Sequence, residues 1–323
     1  MTRAPAPGRV GYFGKIATRS DFIKAAPDVA LMGVLDGWLA QIMAELPSDP
    51  RWKLHYDALA PVHFVFVGPR RKHAIAGHIV ASRDQSGRRF PFLTVRTLEL
   101  ANPASFAARC PIVLEPLWNS MQDAAREVLL APDPTALLQA IADMQVTLDE
   151  SDGAALATFL ATGTVASLAA LLGRADLRQL LLALGLLLQP ALEGGIGDLD
   201  KSLVLPLPDH ACARAAVAAF WLDLVLPFLG KADVELALFV ATIALQPVLV
   251  IGFRGASAHT LRAIVDPLFG AEHQVSFADV GWVDEQLGVD IDMRALASYL
   301  DQPQLPLKLA RELFLQTFTG AAP

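Results

Sequence analysis

The sequence predicts an α/β fold: a mixed, largely antiparallel sheet carrying helices, followed by a helix-rich C-terminal half. Three observations carry this. Residues 62–67, 74–82 and 90–98 are short β-branched and aromatic runs joined by tight polar connections, which is the grammar of an antiparallel meander. Apolar residues recur every three to four positions in 29–46 and 112–130, marking one buried face of a helix in each. Beyond residue 135 the chain is rich in Ala and Leu with periodic glycine breaks, and a strand pair interrupts it near 234–253.

Composition sets the bounds. The 323 residues are 54% hydrophobic and 18% charged, enough to bury a sizeable core and too apolar for a disordered chain. A net charge of -7 argues against nucleic-acid binding by the chain as a whole. Cys110 and Cys212 are the only cysteines, too few for a disulfide framework or a CxxC metal site. Both are expected to be buried, reduced thiols in a cytoplasmic protein.

Element by element, residues 1–9 form a Pro/Ala-rich flexible lead without the apolar stretch of a signal peptide. An opening strand over 10–16 follows, in which Gly11 and Gly14 allow close packing. Thr18, Ser20 and Asp21 then turn the chain into the first helix. That helix, 29–46, buries Leu31, Val34, Leu35, Trp38, Leu39, Ile42, Met43 and Leu46, and Pro47 stops it. A short helical piece over 51–59 carries Trp52 and Tyr56. The meander follows, then the helix 112–130, which turns Leu114, Leu117, Trp118, Met121 and Val128 inward and Glu115, Asp123, Arg126 and Glu127 outward.

Pro132-Asp133-Pro134 divides the chain into a domain of residues 10–131 and a region of 132–323. Helices over 135–188 break near Gly153, Gly163 and Gly173, and the run 180–188 is apolar all round, so it is buried. A flexible loop over 194–198 and a helix over 210–226 come next. The uncharged run 236–253 is long enough to approach a membrane span. Gln246-Pro247 sits in its middle and β-branched residues fill it, so it is two buried strands rather than a stable membrane insertion. Helices over 258–269, 290–300 and 306–318 close the chain. Whether the strands of the two halves share one sheet is open.

Most chemical motifs dissolve on inspection. Gly14-Lys15 lacks the flanking residues of a phosphate loop: Arg9 stands where a glycine is needed and Ile16 where Ser or Thr would hold magnesium. Gly255-Ala256-Ser257-Ala258-His259 lies between a strand and a helix, the context of a nucleophile elbow. His259 replaces its second glycine, and His273 is the one later histidine a triad could use. Ser257 is better placed to cap the following helix, and a serine hydrolase is the alternative function. The histidines show no HxH or HxxxH pair, and the carboxylates are scattered, with no pair that suggests acid/base chemistry. No catalytic residue, metal or cofactor is expected. Cations concentrate in Arg70-Arg71-Lys72 and in the 83–89 loop, with Arg83, Arg88 and Arg89.

Four further motifs occur in order: Gly11-Tyr12-Phe13-Gly14-Lys15-Ile16 with Asp21-Phe22; Asp36-Gly37-Trp38-Leu39; Trp52, Tyr56 and Pro61 with His63-Phe64; and Ser82-Arg83-Asp84, Gly87-Arg88-Arg89 and Phe90-Pro91. Together they resemble the TagF/ImpM family of type VI secretion-associated accessory proteins. Ala17 and Ser20 depart from the family's usual Pro and Gly, and His63 from its usual Trp or Arg. The resemblance implies a three-layer α/β sandwich in which Gly11, Gly14, Phe22, Asp36, Trp38, Trp52, Tyr56, Pro61, Gly87, Phe90 and Pro91 are structural. It also implies a cytoplasmic, non-enzymatic, post-translational regulator that represses type VI secretion by binding an FHA-domain scaffold protein and other secretion components. A structural subunit of the secretion baseplate is a second alternative. Loops on a rigid sheet commonly carry function. The expected docking face is therefore Arg83, Asp84, Arg88 and Arg89 with the neighbouring Lys15, Arg19 and Asp21.

Overall fold

The computed structural model describes residues 8–25, 28–149, 153–194, 199–230, 233–288 and 290–320. Most of the expected lead and of the 194–198 loop lie outside these residues. Nine strands form one sheet: β1 (Gly11–Gly14), β2 (Ile23–Ala25), β3 (Val62–Val67), β4 (His73–Val80), β5 (Phe92–Glu99), β6 (Ser202–Pro206), β7 (Leu236–Ile243), β8 (Gln246–Gly252) and β9 (Gln274–Ser276). Their spatial order is β2-β1-β5-β4-β3-β7-β8-β6-β9. Every pairing is antiparallel except β6 with β9.

The meander β3–β4–β5 forms as its pattern predicts. What the pattern left open is settled by β3 pairing with β7, Phe64 opposite Phe239. One sheet therefore runs through both halves. β2, β6 and β9 were not foreseen. β2 and β9 have three residues each, and β6 has five and ends in proline, too little for an alternation to register.

Two helical layers cover the sheet. On one face, α1 (Val29–Glu45) buries Met32, Leu35, Trp38, Leu39 and Ile42 over the sheet, and α2 (Trp52–Asp57) adds Tyr56. Val34, assigned to that apolar face, is exposed instead, and Met32 takes the inward position. On the other face lies the larger core, led by α3 (Pro103–Leu130).

The helix α3 begins nine residues earlier than its periodicity implies. Pro111, just before the expected start, lies inside the helix like Pro116, while Asn102 caps it and Pro103 fills the first turn. Pro111 has no N–H for the Ala107 carbonyl, and the Cys110 thiol lies 3.4 Å from that oxygen. Cys110 is buried as expected, and Cys212 is exposed.

Helices α4 (Thr135–Asp143), α5 (Ala154–Thr162), α6 (Val165–Leu172) and α7 (Leu177–Leu188) then add to the larger core, and a short α8 (Pro190–Gly194) follows. Gly163 and Gly173 end α5 and α6 as the breaks predict. Helix α9 (Ala211–Val225) packs against α3 with Phe220 and Trp221 buried. The run 236–253 is the β7–β8 hairpin, not a helix. Two helical stretches, Val29–Ser48 and Ala211–Leu229, are long and apolar enough by composition to cross a membrane.

The single helix expected over 258–269 is two, α10 (Ala258–Val265) and α11 (Pro267–His273). They are split at Asp266-Pro267, where Asp266 caps α11. A short α12 (Val283–Gln286), α13 (Ile291–Leu300) and α14 (Leu307–Thr319) complete the chain.

Candidate functional site

The four motifs of the N-terminal half come together in space. β1 ends at Gly14, whose φ of +135° lies outside the range that side chains tolerate. A Cβ there would sit 2.0 Å from the Pro91 carbonyl oxygen, so only glycine lets β1 meet the start of β5 this closely. The next residue, Lys15, is thereby turned inward and is 7% exposed.

The Lys15 ammonium finds one carboxylate. It donates to Asp84 Oδ2 at 2.9 Å and lies 4.8 Å from the centre of the Phe22 ring. Phe22 stacks on Phe13 at 5.4 Å and meets Phe90 edge-on at 4.8 Å. The Gly-Lys, Asp-Phe and Phe-Pro motifs thus form one knot.

Asp84 organises the loop around itself. Its Oδ1 accepts from Ser86 N, Ser86 Oγ and Arg88 N at 2.7–3.0 Å, and its Oδ2 also accepts from Arg88 Nε at 2.7 Å. Burial alone would raise its pKa, but hydrogen bonds from Lys15, Ser86 and Arg88 outweigh it and hold the carboxyl well below its usual range. Gly87, with φ +83°, reverses the chain, and its N–H donates to the Asp84 carbonyl. Arg88 Nη2 reaches the Ser20 carbonyl, and Gln85 N donates to that of Arg19, so the loop is also tied to the opening turn.

The remaining motif braces the loop from beneath. Tyr56 Oη donates to the Ser82 carbonyl and accepts from the Ser82 N–H, both at 3.0 Å. Burial pushes its phenol pKa up. Arg89 grips Asp57 with two bonds, at 2.8 and 2.5 Å, over the Trp52 ring. Those bonds lower the Asp57 pKa.

This geometry divides the expected docking residues. Lys15 and Asp84 are enclosed, so they cannot face a partner; they shape the loop from inside. Arg89 is committed to Asp57, and Arg19 reaches Asp133 and Thr135. Arg88 is tethered by its Nε yet exposes most of its side chain. Arg83 and Asp21 are exposed and make no side-chain hydrogen bond or close ion pair among the described residues, Arg83 acting on Asp57 only at longer range. Of the residues assigned a structural part, Trp38 packs among Phe64, Phe66 and Phe239, and Gly11 sits opposite Val95. Asp36 and Pro61 are exposed.

Ser257 caps α10, its Oγ accepting from His259 N at 3.3 Å, and His273 Nδ1 lies 3.0 Å from the Phe269 carbonyl. Among the described residues no three His, Cys, Asp or Glu side chains converge as metal ligands. One pair escaped sequence reading: His63 and His78, with Nδ1 atoms 3.1 Å apart. The β3–β4 register places them opposite one another, so aligning the hairpin arms would have revealed them.

Residues 11–144 match the family model described as TagF N-terminal domain, type VI secretion system-associated. No curated protein matches the chain. Among solved structures, that of PA0076 from Pseudomonas aeruginosa PAO1 aligns at 24% identity with a TM-score of 0.35. The alignment spans 43% of this chain and 63% of that one, less than two thirds of its length.

Proposed function

We propose, from the match of residues 11–144 to the TagF N-terminal domain model of the type VI secretion-associated class, that the chain is a non-enzymatic, post-translational repressor of type VI secretion. It acts in the cytoplasm by binding an FHA-domain scaffold protein. The observation that carries this reading is the 83–89 loop. Its shape is set from within by Lys15 and Asp84, and it presents Arg83 and Arg88 outward on an acidic protein. A pre-shaped cationic loop loses little conformational freedom on binding, and complementary charge steers an acidic partner surface toward it.

The test is charge reversal at Arg83, the loop cation whose side chain makes no hydrogen bond among the described residues. Arg83→Glu in the full chain should leave stability within about 0.5 kcal/mol of the parent. It should sharply reduce recovery of the FHA-domain scaffold in a pull-down at low salt, and the parent's binding should weaken as salt rises. Recovery equal to the parent's would reject the loop as the docking face.

A further inference from the structure

A second polar cluster lies on the opposite face of the sheet, away from the loop. Between α3 and α9, a cavity of about 140 Å³ opens above β3. We propose that it binds a small dipolar carboxylate: a molecule of free amino-acid size, with an anionic end and a hydrogen-bond donor. Cavities of roughly 150 Å³ accommodate benzene, so about six heavy atoms fit, the number in alanine.

The floor is His63, stacked on Trp118 with ring centres 5.4 Å apart. The His63–His78 contact joins two Nδ1 atoms, so one must donate and the other accept. The Nε2 of His78 is buried without a partner. An orphaned N–H is rarer than an orphaned acceptor. The proton of His78 therefore sits on Nδ1 and is donated to His63, which must carry its own proton on Nε2. Gln122 beside His63 favours its protonated form, as an acceptor for that N–H would. His63 stays neutral, because burial and Arg214 hold its pKa down to about 4. Its one N–H is turned to Gln122 at the cavity wall.

The walls carry opposite charges. Arg214 donates through Nε and Nη2 to the carbonyls of Pro208 and Asp209, so two neutral acceptors orient it. No carboxylate pairs with it among the described residues, and its charge is left to the cavity. Glu115 faces the same cavity from α3, also without an ion pair among the described residues, and burial raises its pKa. A bare anion would gain from Arg214 but meet Glu115. A bare cation would meet Arg214. A ligand bearing both ends satisfies both walls at once. A nucleotide or sugar phosphate is too large for the space.

The experiment uses the full chain with L-alanine, acetate and ethylammonium as probes at millimolar concentration. Binding is read by thermal shift and by the NMR signal of the Trp118 indole N–H. Alanine should raise the melting temperature and move that signal, and the two single-ended probes should do so weakly. Glu115→Gln, isosteric, and Arg214→Lys should each weaken alanine binding by about tenfold or more, the worth of a charge-assisted hydrogen bond. Melting of the unliganded variants separates lost binding from lost folding. Absence of any alanine-dependent change in the folded parent would overturn the proposal. So would acetate binding as tightly as alanine and indifferent to Glu115→Gln.

Discussion

The two faces of the sheet carry polar clusters of opposite design. In the knot around Asp84, both carboxylate oxygens are saturated by five donors, and Lys15, the buried charge, sits between a carboxylate and an aromatic face. Around His63, the buried Nε2 of His78 and hydroxyl of neighbouring Thr94 have no partner, and Arg214 and Glu115 face the cavity without an ion pair among the described residues. A closed cluster rigidifies what surrounds it, and an open one keeps unspent hydrogen-bonding capacity. The first therefore reads as architecture for a loop, the second as a place to receive something.

Substitutions can break this contrast. The largest effect is expected at Gly14. Gly14→Ala combines a forbidden φ with a collision on the Pro91 carbonyl and should cost about 4 kcal/mol by denaturant unfolding. Gly87→Ala is the matched control: its φ is also positive, but the Cβ meets open space, so about 1 kcal/mol is expected. Equal losses at the two sites would mean that the close approach of β1 to Pro91 does not hold the knot together.

Next comes the brace beneath the loop. Tyr56→Phe deletes both bonds to Ser82 and should cost about 2 kcal/mol. Its further consequence sharpens the comparison, because amide exchange should accelerate through 82–90 and stay unchanged around His63.

Acid titration separates the clusters without altering the knot. His63 and His78 both have pKa values held below 6.5, His63 at about 4, chiefly by burial. Below pH 6.5 the unfolded chain takes up protons that the folded cavity refuses. Stability should therefore fall by up to about 1.4 kcal/mol per pH unit per histidine between 6.5 and 4. Asp84 is depressed instead from the carboxylate range, so its contribution persists through that window and is lost only below it. His63→Gln should flatten the upper part of the pH–stability curve and leave the steeper acid limb in place. An unchanged slope between pH 6.5 and 4 would show that the cavity is not the acid-sensitive element.

Much of the knot was legible as spacing. Gly14, Phe22, Tyr56, Gly87 and Phe90 stood out because residues of those types at those positions need a specific environment. Their partners did not stand out. Lys15 and Asp84 looked like surface charges in turns, since nothing local says that two residues 69 positions apart will be buried together. The start of α3 was misplaced for a related reason. Prolines at 111 and 116 are poor helix formers in isolation, and the buried face that keeps them in the helix belongs to tertiary packing.

Periodicity and turn chemistry by themselves determined the α/β class, the meander, the hairpin at 236–253 and most helix positions. These are short-range properties, in which each residue's preference is expressed against near neighbours. Only the tertiary structure decided that one sheet spans both halves, that Lys15 and Asp84 are interior, and that His63, Glu115 and Arg214 share a cavity. Each of those outcomes depends on which strand lies beside which and which helix crosses it. That pairing energy is spread over many apolar contacts far apart in the chain, and no single stretch of residues records it.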